Sequence, residues 1–495
     1  MLNKTAKTSL LFFMMLISWT AQHNSLASQN PRTIKVPANF ASIQEAIDAA
    51  SAGDTVLVAS GLYNECIVID KPLRLVGEDR NTTVIDGGGA GWEPLTIALN
   101  VSADNVLIEN FTIKNANFAV HVNKAFNVTV QSNIITSNFH GLQMLNCSQC
   151  VVRNNLFTQN WGGHPDLLYG GGIILEGSEC VIEHNYVSCN LRGIVLEEGS
   201  YNVVRNNTVT ESRVHLDTGI YRDGLGVEIF GSRNVIYYNV ITENPQGIFV
   251  GEGATNNMVF KNVVKDNNGL GIGMGHSNMN AFLGNIVDGN DMGFAMELAG
   301  DIFLSNFISN NKDGIVIHFS NDSIFHHNNF VNNTVDVPED VYANFNVWDD
   351  GFEGNYWDSY NGTDADQDGI GDAPHIIDQY NRDNHPLTGV FSNFTVHWQE
   401  QEHFIATVSN STVTSFQFDS TRRIVSFNVT GETHTIGFCR VTIPNIILEE
   451  MWNNNFTVLV DNKEPLTIRN WTDGTNTFIY LTYQHSQHEV TIIHE

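Results

Sequence analysis

The sequence predicts an all-β protein: a right-handed, single-stranded parallel β-helix with an N-terminal helical cap, followed by a small antiparallel β-sandwich. Three observations predict the helix. An asparagine recurs at Asn110, Asn133, Asn155, Asn185, Asn207, Asn239, Asn262, Asn285, Asn306 and Asn328, in steps of 21 to 32 residues that centre near 22. Five residues after each comes a second one, Asn115, Asn138, Asn160, Asn190, Asn244, Asn267, Asn290, Asn311 and Asn333, with Ser212 as the one break. After most pairs stands a glycine and an alternating apolar run, as in "GIILEG", "GIVLEEG", "GVEIFG" and "GIVIHF". A fixed period of this length means a repeat architecture. The fixed positions are Val, Ile and Phe with Leu in the minority, which argues against leucine-rich repeats. Each unit reads as three short strands with Asn and Gly at the corners.

Coils of three strands stack at ~4.8 Å, the parallel strand spacing. An asparagine at one place in every coil then meets its counterpart and forms an amide ladder. A buried side chain there needs such partners, which explains Asn where Val would otherwise serve. By the same reading Gly supplies corners with φ > 0, and Asn110, although within a glycosylation sequon, is a buried ladder residue.

The N-terminal residues 1–28 read as a secretory signal peptide: Lys4 and Lys7, an apolar run from Leu10 to Trp19, then small residues at Ala27 and Ser28. The run is too short for a stable span, so export without a transmembrane anchor is expected, with cell-surface association open. Residues 29–90 form the cap and first coils. Ser42 and Glu45 make a capping box for a short helix whose apolar face is Ile43, Ala46, Ile47 and Ala50, and this helix would cover the open end of the solenoid. Residues 91–345 are the coils, 346–389 a closing segment, and 390–495 the sandwich, read from alternating segments such as "RRIVSFNVTG" and "FTVLVD".

The entry "SIQEAIDAASAGDTVLVASGLYNE" with "IDKPLRLVGED" resembles the start of pectin-lyase-like β-helix proteins. The Asn and Gly corners resemble the NosD family and the wider group of carbohydrate-binding and sugar-hydrolysing β-helices. "GNYWDSYNGTDADQDGIGDAPHIIDQYNRDNHPL" is similar to the segment that closes archaeal NosD-like chains. The resemblance implies the fold, and with it either a polysaccharide ligand or, as in NosD proteins, a periplasmic copper-binding role.

A formal net charge of −30 with only 24 Lys plus Arg excludes nucleic acid and anionic lipid as natural partners. Sequons at Asn81, Asn100, Asn127, Asn361, Asn393, Asn410, Asn428 and Asn470 suit a glycoprotein. Cys150 and Cys180 each precede a ladder asparagine by five residues, so they stack on neighbouring coils at ~5 Å, a spacing compatible with a disulfide. "CSQC" at residues 147–150 resembles half a metal site without its other half.

By alternation, Glu176, Glu197 and Glu228 face outward on successive coils, ~5 Å apart by strand spacing. Two inserts, "WGGHPDLLYGG" and "SRVHLDTGIYRDG", enter the same corner beside them. They carry His164, Asp166, Tyr169, His215, Tyr221 and Asp223 as substrate-binding candidates, and Asp217 and Arg222 beside the three glutamates as catalytic ones, with Trp161 as an aromatic platform. Loops beside one sheet make a groove. Close carboxylates suit a retaining glycoside hydrolase, and an arginine with a carboxylate-bound cation suits a polysaccharide lyase. Sugar binding alone, and a structural surface protein without a ligand, are the other readings of these residues.

Copper needs clustered Met, His or Cys. Met274, His276, Met279, Met292, Met296 and His318 lie close in sequence, but alternation turns Met274 and Met296 into the core. His326 and His327 are neighbours on a strand and should face opposite sides. The sharpest motif is "DADQDGIGD". Asp364, Asp366 and Asp368 stand at places 1, 3 and 5 of a calcium loop, Ile370 at 7 and Asp372 at 9. Place 12 is His375, so Asp378 or Asp383 would have to replace the missing carboxylate.

Overall fold

The structure, a computed structural model, describes residues 31–89, 95–160, 170–212, 224–339 and 345–494. The expected signal peptide lies outside the described residues. Among these, no helix is long and apolar enough to cross a membrane.

Each coil gives one strand to each of three parallel sheets. Val181–Glu183, Tyr186–Ser188 and Arg192–Glu198 are one such turn. The first sheet runs through thirteen strands from Thr33–Val36 to Ile324–His326. The second has thirteen, from Gly61–Asn64 to Tyr356–Trp357, and the third eleven, from Ile67–Ile69 to Asp313–His318. Inward Val, Ile, Leu and Phe fill one continuous core. The helix Ile43–Ala49 closes the N-terminal end. Its Ser42 and Glu45 make the reciprocal capping box, and Ile43, Ala46 and Ile47 are buried.

Both asparagine ladders are present. Asn133, Asn155, Asn185 and Asn207 each donate Nδ2 to the Oδ1 of the next, at 3.0 to 3.1 Å. The series passes Asn239 and Asn262, continues to Asn355, and ends on the carboxylate of Asp383. Two expectations are corrected. Asn110 and Asn115 are not ladder residues: the ladder places on their coil belong to Phe111 and Ala116, whose backbone N–H groups donate to Asn133 and Asn138. Asn110 and Asn115 sit one residue earlier, with φ of 64° and 56°. The recurring glycines also have another role. The left-handed corner is taken by the residue just before each ladder place, such as Asn206, Tyr238 and Lys261, and the N–H groups of Asn206 and Lys261 donate to the next coil. Gly141, Gly172, Gly193 and Gly226 are small because a Cβ would lie 2.3 to 2.8 Å from the carbonyl oxygen of the coil above.

A third ladder was not anticipated. It runs Cys150, Cys180, Asn202, Asn234, Asn257, Asn280, Asp301, Ser323 and Asn346, five places before the first-ladder residue of the same coil up to Ser323 and nine before Asn355 at Asn346. Asp301 is its misfit. Burial pushes its carboxyl up to about 7, against the bonds from Asn280, and Oδ2 has no partner among the described residues. The native state therefore holds a proton that the unfolded chain releases above 3.8, and stability falls as pH rises from there to about 7. Asp301→Asn should raise the melting temperature at pH 8 and change it little at pH 4, as thermal unfolding at the two pH values will read.

The C-terminal sandwich packs a five-stranded antiparallel sheet on a four-stranded one. It also holds a helix, Asn445–Trp452, with Ile447, Leu448, Met451 and Trp452 buried; no sequence signal had pointed to it. The sandwich is fastened to the last coil. Asn329 exchanges two hydrogen bonds with the backbone of Phe391, at 2.7 and 2.8 Å. The ring of Phe391 stacks on His327 at 4.2 Å. Arg440 reaches back to Glu353 at 2.9 Å and donates to the Asp368 carbonyl at 3.0 Å.

Candidate functional site

The outward face of the third sheet carries the polar cluster of greatest interest. In this sheet the second and fourth residues after each recurring glycine face outward, and so does the residue before it. The row before glycine reads Phe118, His140, Gly171, Arg192 and Leu225. The row after it reads Asn100, His121, Gln143, Ile174, Val195, Glu228 and Phe249. Although outward, Glu228 is only 3% exposed and His140 only 6%.

Arg192 organises the cluster. Its Nε and Nη2 each lie 2.5 Å from a Glu228 oxygen, a two-pronged pair, and Nη1 lies 3.4 Å from Glu197. A planar fork on a carboxylate is the strongest arrangement for this pair. His140 stacks flat on Phe118 at 4.7 Å. Burial, then the nearby Arg192 charge, push His140 down to about 4, so its ring is neutral at pH 7, and Nδ1 has no partner among the described residues. His121 Nδ1 meets Gln143 Oε1 at 3.1 Å.

The glutamate row differs from expectation. Glu228 is not a solvated carboxylate, because Arg192 on the preceding coil takes both its oxygens. Glu176 pairs in register with Glu198, across an irregularity that sets Glu197 aside. Glu176 is half-buried, and Glu197 turns toward Arg192. His121, His140 and Arg192 escaped the sequence reading. The residue before each recurring glycine was the available signal for His140 and Arg192. Trp161, His164, Asp166, Tyr169, His215, Asp217, Tyr221, Arg222 and Asp223 lie outside the described residues.

The Asp-rich loop holds one group of three ligand-bearing side chains. Oxygens of Asp364, Asp366 and Asp368 lie within 4.8 Å of one another. Burial raises the pKa of Asp364 and of Asp368, against hydrogen bonds from the loop's own N–H groups. Asp372 turns away and accepts from Thr363 and Ala365. Ile370 donates its N–H to Asp368 and pairs with Leu387. The two proposed substitutes for place 12 are engaged elsewhere: Asp378 caps its own turn, and Asp383 ends the first ladder while accepting from Trp357. Arg469 donates to the Asp366 carbonyl, so two arginines of the sandwich, Arg440 and Arg469, each donate to a carbonyl of this loop.

The methionine and histidine candidates do not converge. Met274 and Met296 are register partners inside the core. Met279 is exposed with φ of 59°, and His318 stands opposite Glu297. His326 and His327 correct the alternation argument: a left-handed His327 at the corner brings the two Nδ1 atoms to 3.2 Å. His327 Nε2 is held by Glu353 at 2.9 Å, which ties that pair to the sandwich junction.

Cys150 and Cys180 occupy the same place on neighbouring coils. Both are free thiols, and the expected disulfide is not formed in this structure.

Among known proteins, the chain is 26% identical over 317 residues to a cell surface glycoprotein of Methanothermus fervidus. That match takes in 52% of this chain and 51% of the relative, so it spans about half of the relative's length. Similar solved structures include the A-module of the mannuronan C-5 epimerase AlgE4 of Azotobacter vinelandii, with a TM-score of 0.38 and 16% identity over 61% of this chain and 93% of that one. Another is PfbA, a surface adhesin of Streptococcus pneumoniae, with a TM-score of 0.42 and 13% identity over 57% and 87%. The family model described as "Periplasmic copper-binding protein (NosD)" matches residues 47–231 and 221–362, which is most of the coiled region. The chain belongs to the NosD family of parallel β-helix proteins.

Proposed function

We propose that this protein works outside the cytoplasm, at the cell surface or in a periplasm-like space, and holds a glycan on the outward face of its third sheet. The family description and the surface-glycoprotein relative support the location. The observation that carries the binding reading is the buried outward cluster. Sheet faces of a solenoid are ordinarily solvated, yet His140, Arg192 and Glu228 are withdrawn from water there. Desolvated polar groups of this kind are costly unless paired, and Arg192 with Glu228 makes the pair on which the face is built.

The charges choose among sugars. Arg192 meets two glutamates, Glu197 and Glu228, Glu176 adds a third carboxylate to the face, and His140 is neutral. An anionic chain would be repelled unless a cation bridged it, so a neutral glycan fits best, with hydroxyls bonded by Glu176 and Gln143. Arg192 is committed to Glu228, which weighs against a lyase that needs a free arginine for uronate carboxylates. Screening a glycan library will identify ligands. Against the best of them, Glu176→Gln with Glu197→Gln should weaken binding, and abolish cleavage where any occurs, while the melting temperature stays nearly unchanged. Unaltered affinity in that double variant would move the site off this face.

A second proposal concerns calcium, favoured by the convergence of Asp364, Asp366 and Asp368. Oxygen-rich loops of this spacing suit Ca2+. Set between the last coil and the sandwich, the ion would stiffen the junction. Removing divalent cations with a chelator should lower the melting temperature, and Asp366→Ala should remove that sensitivity. A variant that still responds fully would place the cation elsewhere.

A further inference from the structure

Beyond Glu228 the outward face of the third sheet changes from polar to aromatic. Phe249 is the register neighbour of Glu228, and Gly273 that of Phe249. Phe230 and Phe249 are both partly exposed. Each ring leans along the solenoid axis onto the coil above. A Cβ at Gly273 would lie 3.1 Å from Phe249 Cδ2, one at Gly275 3.3 Å from Cζ, and one at Gly251 3.3 Å from Cε1, with the Phe230 ring closer still to Gly251. One ring thus fills the space of three missing side chains. The usual reasons for glycine are absent here. None of the three sits in the left-handed region, and the strand pairings on either side of Gly273 keep their register. Their nearest atoms belong to side chains, not to the carbonyl of the next coil that keeps Gly193 and Gly226 small. Glycine inside a strand weakens it, and apolar packing alone does not offset that. The same row continues with Ala295 and Val316, and either residue type would bury more. What the glycines secure is ring orientation: a ring lying on the sheet turns its face to solvent, where a standing one shows its edge.

We propose that Phe230 and Phe249 are a stacking platform for a neutral hexopyranose chain, which runs along the solenoid axis from Glu176 across Glu228 and lays one sugar ring flat on Phe249. This inference rests on the glycan reading above and adds to it an orientation and an apolar subsite. Aromatic faces carry partial negative charge, and the axial C–H groups of a pyranose are the weakly positive surface that suits them. Size excludes a folded protein as the occupant: two rings that bury about 150–250 Å² each when fully covered fall short of the ~800 Å² per partner of a stable interface. The rim, where Glu252 and Glu297 are exposed, disfavours a uronate or an anionic lipid. Glu176 and Phe249 lie on the first and last of four consecutive coils of this sheet. Each coil rises by ~4.8 Å, close to the length of one hexose in an extended chain, so these coils match about four sugars.

The test titrates the whole protein with cellohexaose, laminarihexaose, mannohexaose and maltohexaose by calorimetry. Phe249→Ala should weaken the best of them about tenfold, the scale of one good ring contact, and Phe249→Trp should keep or raise the affinity. Gly273→Ala retains every ring and polar group but pushes the Phe249 ring off the sheet. The nearest atoms its methyl meets belong to the Leu270 and Phe249 side chains, so the fold is kept, and a platform predicts weaker binding here too, where a merely packed phenylalanine predicts none. Unchanged affinity in Phe249→Ala and Gly273→Ala, with Glu176→Gln and Glu197→Gln together still weakening binding, would overturn the platform and leave the glycan face standing. Affinity indifferent to all of these changes would overturn the face as well. Failure of every one of these hexaoses to bind at millimolar concentration would overturn the neutral-hexose assignment, whatever a wider glycan library finds.

Discussion

Asn262→Leu should lower stability markedly. Asn262 is fully buried. Its Oδ1 accepts from the backbone N–H and the Nδ2 of Asn239, both at 3.0 Å, and its Nδ2 donates to the Ile236 carbonyl at 2.9 Å and to Asn285 at 3.1 Å. Leucine has similar bulk and none of these partners. The N–H of Asn239 and the carbonyl of Ile236 then lose a partner where water cannot replace it, at a cost of roughly 1–3 kcal/mol each. In a solenoid each coil depends on its neighbours, so amide exchange should speed up first in the coils on either side. Denaturant unfolding with hydrogen exchange will read both. A neutral substitution would mean that the ladder is decoration.

Arg440→Met should cut the sandwich loose from the β-helix. The arginine side chain is 1% exposed and ion-pairs with Glu353, which also accepts from His327. Removing one partner of a buried pair costs about 3–5 kcal/mol, because the other charge stays buried. The pH dependence carries the same signature. Burial alone would raise the carboxyl of Glu353, but Arg440 and His327 together hold it down at about 2. The stabilisation from Glu353 is complete above its ordinary value of 4.5 and is lost as pH falls from there toward about 2. In Arg440→Met the acid transition should move to higher pH. Limited proteolysis near residue 390 should become fast in the variant while the coils stay protected. Unchanged acid unfolding and unchanged proteolysis would show that the junction rests on the Asn329 bonds instead.

Much of the fold could be read from the residues because the two Asn series are pure enough to give a period. The helical cap was legible for a similar reason: Ser42 and Glu45 are a local device, complete within four residues. The third ladder was hidden because its place accepts Cys, Asn, Asp and Ser alike, and any group able to take a backbone N–H will serve. Asn110 misled because the left-handed corner and the ladder place are adjacent and both favour Asn, so a slip of one residue leaves the pattern looking intact. The recurring glycine suggested a turn, whereas close contact with the carbonyl of the next coil is what keeps it small.

The functional face was harder to read. Glu176, Glu197 and Glu228 could be assigned outward by alternation. That Arg192 would claim Glu228 could not, since the two are 36 residues apart and meet only when coils stack. His326 and His327 make the same point: strand alternation fails where a left-handed residue turns the chain, and two rings meant to diverge come together.

The glycan face is the centre of this account, and hydrogen exchange with and without a bound glycan tests it most directly. Protection centred on the strands His140–Ser148, Gly171–Ser178, Arg192–Glu198 and Leu225–Ile229 is the predicted result. Protection on the first or second sheet, or on the sandwich, with these four strands unchanged, would contradict it.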